Sequence, residues 1–111
     1  MESKESQETD TVWYFAIASM MNKISITNRN VHPIESKPAE ILDFDLEFFG
    51  ESGMAVAIMK KGKSFHGVLH RLSLGDMKIL DGIEISYERI PSKARLYDGT
   101  IMDCYVYGDP N

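Results

Sequence analysis

Hydrophobic and polar positions alternate most clearly in the middle of the chain. Leu42, Phe44, Leu46 and Phe48 interleave with Asp43, Asp45 and Glu47. A period of two predicts a strand with the four apolar side chains buried on one face and the three acidic ones in water. Upstream, residues 12–17 are a compact run of aromatic and β-branched side chains, long enough for a buried strand. Residues 18–22 follow as a turn. Residues 21–29 have room for a short helix, but Ile24, Ile26 and Thr27 lower its propensity. His32-Pro33 and Lys37-Pro38 are expected to break regular structure.

Further on, Gly50 and Gly53 bound a turn, and residues 54–59 are continuously apolar, as in a central strand. Lys60-Lys61-Gly62-Lys63 is read as a hairpin connection to a partner strand over residues 64–72. Ser73 is placed to cap a helix, with Asp76 three residues on. Leu74, Met77 and Leu80 give that helix an apolar stripe, and it should end near Gly82. Residues 87–96 read as a strand interrupted by Pro91, hence an edge or a bulge. Asp98-Gly99 signals a type I′ hairpin, and residues 101–107 form the last strand. About six strands, one good helix and a poorer one suggest an α+β fold: a small, mixed, largely antiparallel β-barrel with one or two short flanking helices.

Composition narrows the picture. A chain of 111 residues holds one domain with one modest core, here assigned to residues 12–111. Residues 1–11 are polar and acidic, unlike a signal peptide, and are expected to be a disordered tail. Acidic residues number 17 against 12 basic, for a net charge of −5, so neither nucleic acid nor an anionic membrane surface is an expected partner. Cys104 is the single cysteine. It permits no internal disulfide and suits a reducing, cytoplasmic setting. No apolar run approaches the roughly 18 residues of a membrane span.

Few side chains offer chemistry. His66 and His70 are four apart, but on a strand that spacing separates them by ~13 Å, so they cannot share an ion; no metal is expected. Cys104 has no evident base nearby and reads as structural. Ser19 lacks the Gly-x-Ser-x-Gly frame of a nucleophile elbow and reads as a turn serine. The aromatic residues and seven methionines read mainly as core, although methionine can soften a pocket wall. Lys60, Lys61 and Lys63 read as a solvated turn. Glu84 differs. It follows the expected helix and lies between Ile83 and Ile85. If either isoleucine packs inward, the carboxylate is poorly solvated, which raises its pKa and makes it a stronger base; the alternative is an ordinary surface glutamate.

Two stretches together resemble the signature segments of the gamma-glutamylcyclotransferase-like family. One is the strand running into Ile17-Ala18-Ser19-Met20, where the family has a Tyr-Gly-Ser-Asn turn. The other is Leu80-Asp81-x-x-Glu84, followed by Tyr87. Phe65-His66-Gly67-Val68-Leu69 and the hairpin from Tyr97-Asp98-Gly99 to Val106-Tyr107 are similar to further family segments. The resemblance implies a small mixed β-barrel and a reaction needing neither metal nor cofactor: release of 5-oxoproline from a γ-glutamyl amine, amino acid or peptide. It implies that Glu84 is the general acid/base. Ile17, Ala18, Ser19 and Met20 would bind the substrate through backbone N–H groups. In that turn only Ser19 matches the family. If Ala18 needs a positive φ, strain on the order of 1 kcal/mol follows. A catalytically silent domain binding a small metabolite or a protein is the alternative. The chain stops soon after its last expected strand, so further C-terminal family segments are expected to be absent.

Overall fold

A computed structural model of the protein describes residues 10–51 and 53–109. Five strands, β1 (Thr11–Ala16), β2 (Glu35–Phe49), β3 (Met54–Ser73), β4 (Glu88–Leu96) and β5 (Ile101–Asp109), close into one barrel in the order β1-β3-β2-β4-β5. Two helices, α1 (Lys23–Thr27) and α2 (Leu74–Ile83), lie outside it. Neighbouring strands are antiparallel except where β5 closes the barrel. There it runs parallel to β1, at Tyr14 opposite Tyr105, and to β3, at Ala57 opposite Gly108. Gly108 allows that closure, because a Cβ there would lie 2.4 Å from the Ala57 carbonyl oxygen.

The six expected strands become five because residues 54–59 and 64–72 belong to one strand. Lys60–Lys63 is not a hairpin turn. Four residues of β3 bulge out opposite Asp43 alone, between the pairs Leu42–Ser64 and Phe44–Met59. Asp43 takes a positive φ of 65° and its Oδ1 accepts the Gly62 N–H at 2.9 Å. A bulge shifts side-chain alternation by one. Ile41 is therefore buried before it and Phe44 after it, while Leu42 is only half-buried. Beyond Phe44 the β2–β3 hairpin projects from the barrel. Leu46 is half-buried there and Phe48 is 65% exposed, so the expected four-residue buried face shrinks to Phe44.

Other local signals meet different contexts. Pro38 sits within β2, opposite Val68, just outside the Ala39–Ile41 segment that pairs with β4, where a missing N–H is tolerated. Pro91 lies in β4 beyond the same segment, so it marks an edge. The Asp98-Gly99 hairpin has a three-residue loop with only Gly99 at positive φ, not the two positive values of a type I′ turn. The expected tail, residues 1–11, lies outside the described residues except for Asp10 and Thr11, and Thr11 already pairs with Ser73. Among the described residues, no helix is long and apolar enough to cross a membrane.

Two apolar layers hold the barrel. The interior contains Phe15, Ile41, Phe44, Leu69, Cys104 and Val106. The outer layer, between barrel and helices, contains Tyr14, Ile26, Leu72, Met77, Leu80 and Tyr107. β1 is covered on both faces, which explains its unbroken apolar run. The Ser73 hydroxyl caps α2 by accepting the Asp76 N–H at 3.1 Å. Met77 and Leu80 are buried, while Leu74 stays half exposed at the helix start, so the stripe packs over two residues, not three.

Candidate active site

β1 leads straight into the site. Ile17 is extended, and Ala18 turns at φ 52°, a left-handed value that normally favours glycine. Ala18–Met21 then forms one turn of 3-10 helix, with the Met20 N–H donating to the Ile17 carbonyl at 3.1 Å. The Met20 side chain points into the outer core. Its N–H is thus committed internally and its side chain offers the site nothing polar. Ala18 and Ser19 are exposed, and no described residue accepts a hydrogen bond from either N–H. The next turn is anchored by Asn22, whose Oδ1 accepts the N–H groups of Ile24 and Ser25 and caps α1.

The other wall comes from the end of α2. Glu84 is the residue that stops the helix: its N–H donates to the Leu80 carbonyl at 2.8 Å, and its carbonyl accepts the Tyr87 N–H at 3.0 Å. Asp81, one turn earlier, clamps this end to the barrel. It pairs with the Arg89 guanidinium and accepts the Tyr107 hydroxyl at 2.5 Å. Arg89, first, and the Tyr107 hydroxyl hold the Asp81 carboxyl below its ordinary range.

These walls enclose one cavity of about 350 Å³, and Ile17, Ala18, Ser19, Met20 and Glu84 all line it. Burial raises the Glu84 pKa above the usual carboxylate value, and the positive field of Arg29 partly offsets that. The expected cause was different. Ile85 is 81% exposed and Ile83 also faces solvent, so the flanking isoleucines do not desolvate Glu84; the cavity wall does.

Three tyrosines line the cavity to which sequence reasoning gave no role there: Tyr14, read as core, and Tyr87 and Tyr107, named only within the family-like segments. Tyr14 and Tyr107 meet edge-on, with ring centroids 5.8 Å apart. Burial, then the negative Glu84 carboxylate, raise the Tyr14 pKa, so its hydroxyl stays protonated. The available signal was the alternation in β1, which puts Tyr14 and Ala16 on the face opposite Phe15.

The remaining candidates lie elsewhere. Cys104 is inside the barrel, its thiol pushed up to about 12 by burial. His66 is exposed, with Nδ1 3.0 Å from the Tyr97 hydroxyl. His70 is buried behind the turn, with Nε2 3.0 Å from the Met20 carbonyl oxygen. Among the described residues, no three His, Cys, Asp or Glu side chains are grouped to hold a metal ion.

No family model and no curated protein matches the sequence. Solved structures match the fold. A protein from Arabidopsis thaliana superposes with a TM-score of 0.82 at 17% identity, over 92% of this chain and 70% of that one. A gamma-glutamyl cyclotransferase gives 0.76 at 21%, over 92% and 68%. An AIG2-like protein from Mus musculus gives 0.76 at 16%, over 89% and 77%. The five-stranded mixed barrel with its two outer helices has the gamma-glutamylcyclotransferase-like fold.

Proposed function

We propose that this protein is a gamma-glutamylcyclotransferase-type enzyme releasing 5-oxoproline from a γ-glutamyl amine, amino acid or peptide. The observation carrying this reading is a half-buried carboxylate, Glu84, in one cavity with a turn that presents free backbone N–H groups. In the reaction the α-amine of the glutamyl group attacks its own γ-carbonyl. The new C–N bond closes a five-membered ring, and the original amide C–N bond breaks. Glu84 takes the proton from the attacking amine and delivers it to the departing nitrogen. Raised basicity suits the first transfer, and a pKa moved toward neutral keeps the protonated form available for the second. Ring closure is intramolecular, so holding the chain folded supplies much of the rate. The N–H groups of Ala18 and Ser19 are the donors for the substrate carboxylate or the oxyanion, and the Tyr14 hydroxyl is a further donor at the cavity wall. The reaction needs small-molecule substrate alone, without metal or cofactor, and suits the cytoplasm.

A second reading, a catalytically silent domain that binds a γ-glutamyl compound or another partner, is favoured by the turn itself. Ile17 and Met20 bring no polar side-chain group, and Ala18 carries strain on the order of 1 kcal/mol at its positive φ. Incubation with a panel of γ-glutamyl compounds, with chromatographic detection of 5-oxoproline and calorimetry of binding, separates the two. Release supports the enzyme. Saturable binding without release supports the silent domain. Neither binding nor release contradicts the enzyme and any silent domain specific for γ-glutamyl compounds.

A further inference from the structure

The cavity is charged on one side only. Among the described residues lining it, Glu84 is the single charged side chain, and no lysine, arginine or histidine is present. Arg29, whose field reaches Glu84, is not part of the lining, and its guanidinium donates to the Ser25 carbonyl at 2.8 Å. A second hollow of about 440 Å³ continues along the β2–β3 hairpin. It shares Met54, Val56 and Tyr87 with the first, and its charged described lining residue is Asp109. Away from the turn and Glu84, the described residues along the hairpin are mostly apolar. Phe48 and Met54 are 65% and 59% exposed, so they present surface that a ligand can cover.

A γ-glutamyl substrate brings two parts. Its glutamyl head carries an ammonium and a carboxylate, and the Ala18 and Ser19 N–H groups can serve one carboxylate. Where the leaving group is an amino acid, a second carboxylate must be placed along the hairpin. There it would lose water, and among the described lining residues it would meet no cation to offset that loss, an unfavourable exchange. We infer that this site, if it handles γ-glutamyl compounds as proposed above, selects those whose leaving group is an uncharged apolar amine, seated on Phe48, Met54 and Tyr87.

A matched pair tests this. γ-Glutamyl-phenethylamide and γ-glutamyl-phenylalanine differ by one carboxylate. The amide is expected to have the higher kcat/KM, by roughly tenfold or more, or the correspondingly lower Kd if the protein binds without turnover. Phe48→Lys, at an exposed position, should narrow that gap by supplying a cation. Release of 5-oxoproline from both at equal rates, or faster from the phenylalanine compound, overturns the inference while leaving the proposed reaction standing. Failure to bind or process either compound overturns both.

Discussion

The Nε2–H of His70 donates to the carbonyl oxygen of Met20 at 3.0 Å, tying the barrel wall to the turn that shapes the cavity. A carbonyl only accepts, so the neutral ring carries its proton on Nε2. Its Nδ1 then accepts from the Ser36 hydroxyl at 2.7 Å. Burial lowers the His70 pKa, which keeps the ring neutral. The histidine is thus a brace for the turn.

Removing that brace should loosen the site. His70→Leu leaves the Met20 carbonyl without its donor, at a cost of about 1–3 kcal/mol. His70→Gln keeps an amide donor and should lose less. Denaturant unfolding of the two variants checks this, and equal losses would mean that packing, not the hydrogen bond, is the function of His70.

Gly67 is fixed by close approach. A Cβ there would lie 2.6 Å from the Phe15 ring and 2.7 Å from the Ala16 carbonyl oxygen. Backbone cannot yield as a flexible side chain can, so Gly67→Ala should cost on the order of 1–3 kcal/mol. The disturbance lands at the end of β1, beside the turn, so ligand affinity should fall together with the melting temperature.

Glu84 should oppose stability at neutral pH. Its folded-state pKa is raised by burial, so the folded protein binds the proton more tightly than the unfolded chain. That contribution is fully present below the ordinary glutamate pKa of 4.5 and is lost as pH rises through the raised value. Glu84→Gln should therefore melt higher than the wild type at pH 7, with the difference vanishing near pH 4. Thermal melts across this range check the sign.

Much of this organisation was legible in the sequence, where local chemistry decides. Ser73 caps α2 as its spacing with Asp76 implied, and Glu84 and the turn came from motif resemblance. The misreadings along β2–β3 and around Glu84 share one physical origin: partners distant in sequence. Lys60–Lys63 carries a turn composition, yet it bulges because Asp43, on the facing strand, bonds to Gly62. The same bulge switches which face of β2 is buried. Ile83 and Ile85 looked able to desolvate Glu84, but its burial comes from a cavity assembled by β1, β3 and β5. Met20 is a local exception: it looked available as a donor, but the turn closes on its own N–H, which donates to Ile17 three residues back.

The general-base assignment is tested most directly by Glu84→Gln, which keeps the side-chain shape and removes the titrating carboxylate. Parallel measurements of γ-glutamyl ligand affinity and 5-oxoproline release should show affinity nearly unchanged and release reduced by roughly 10²–10⁴. Wild-type release should rise with pH as Glu84 ionises above the usual carboxylate range. Release by Glu84→Gln at the wild-type rate would contradict the assignment of Glu84 as the base.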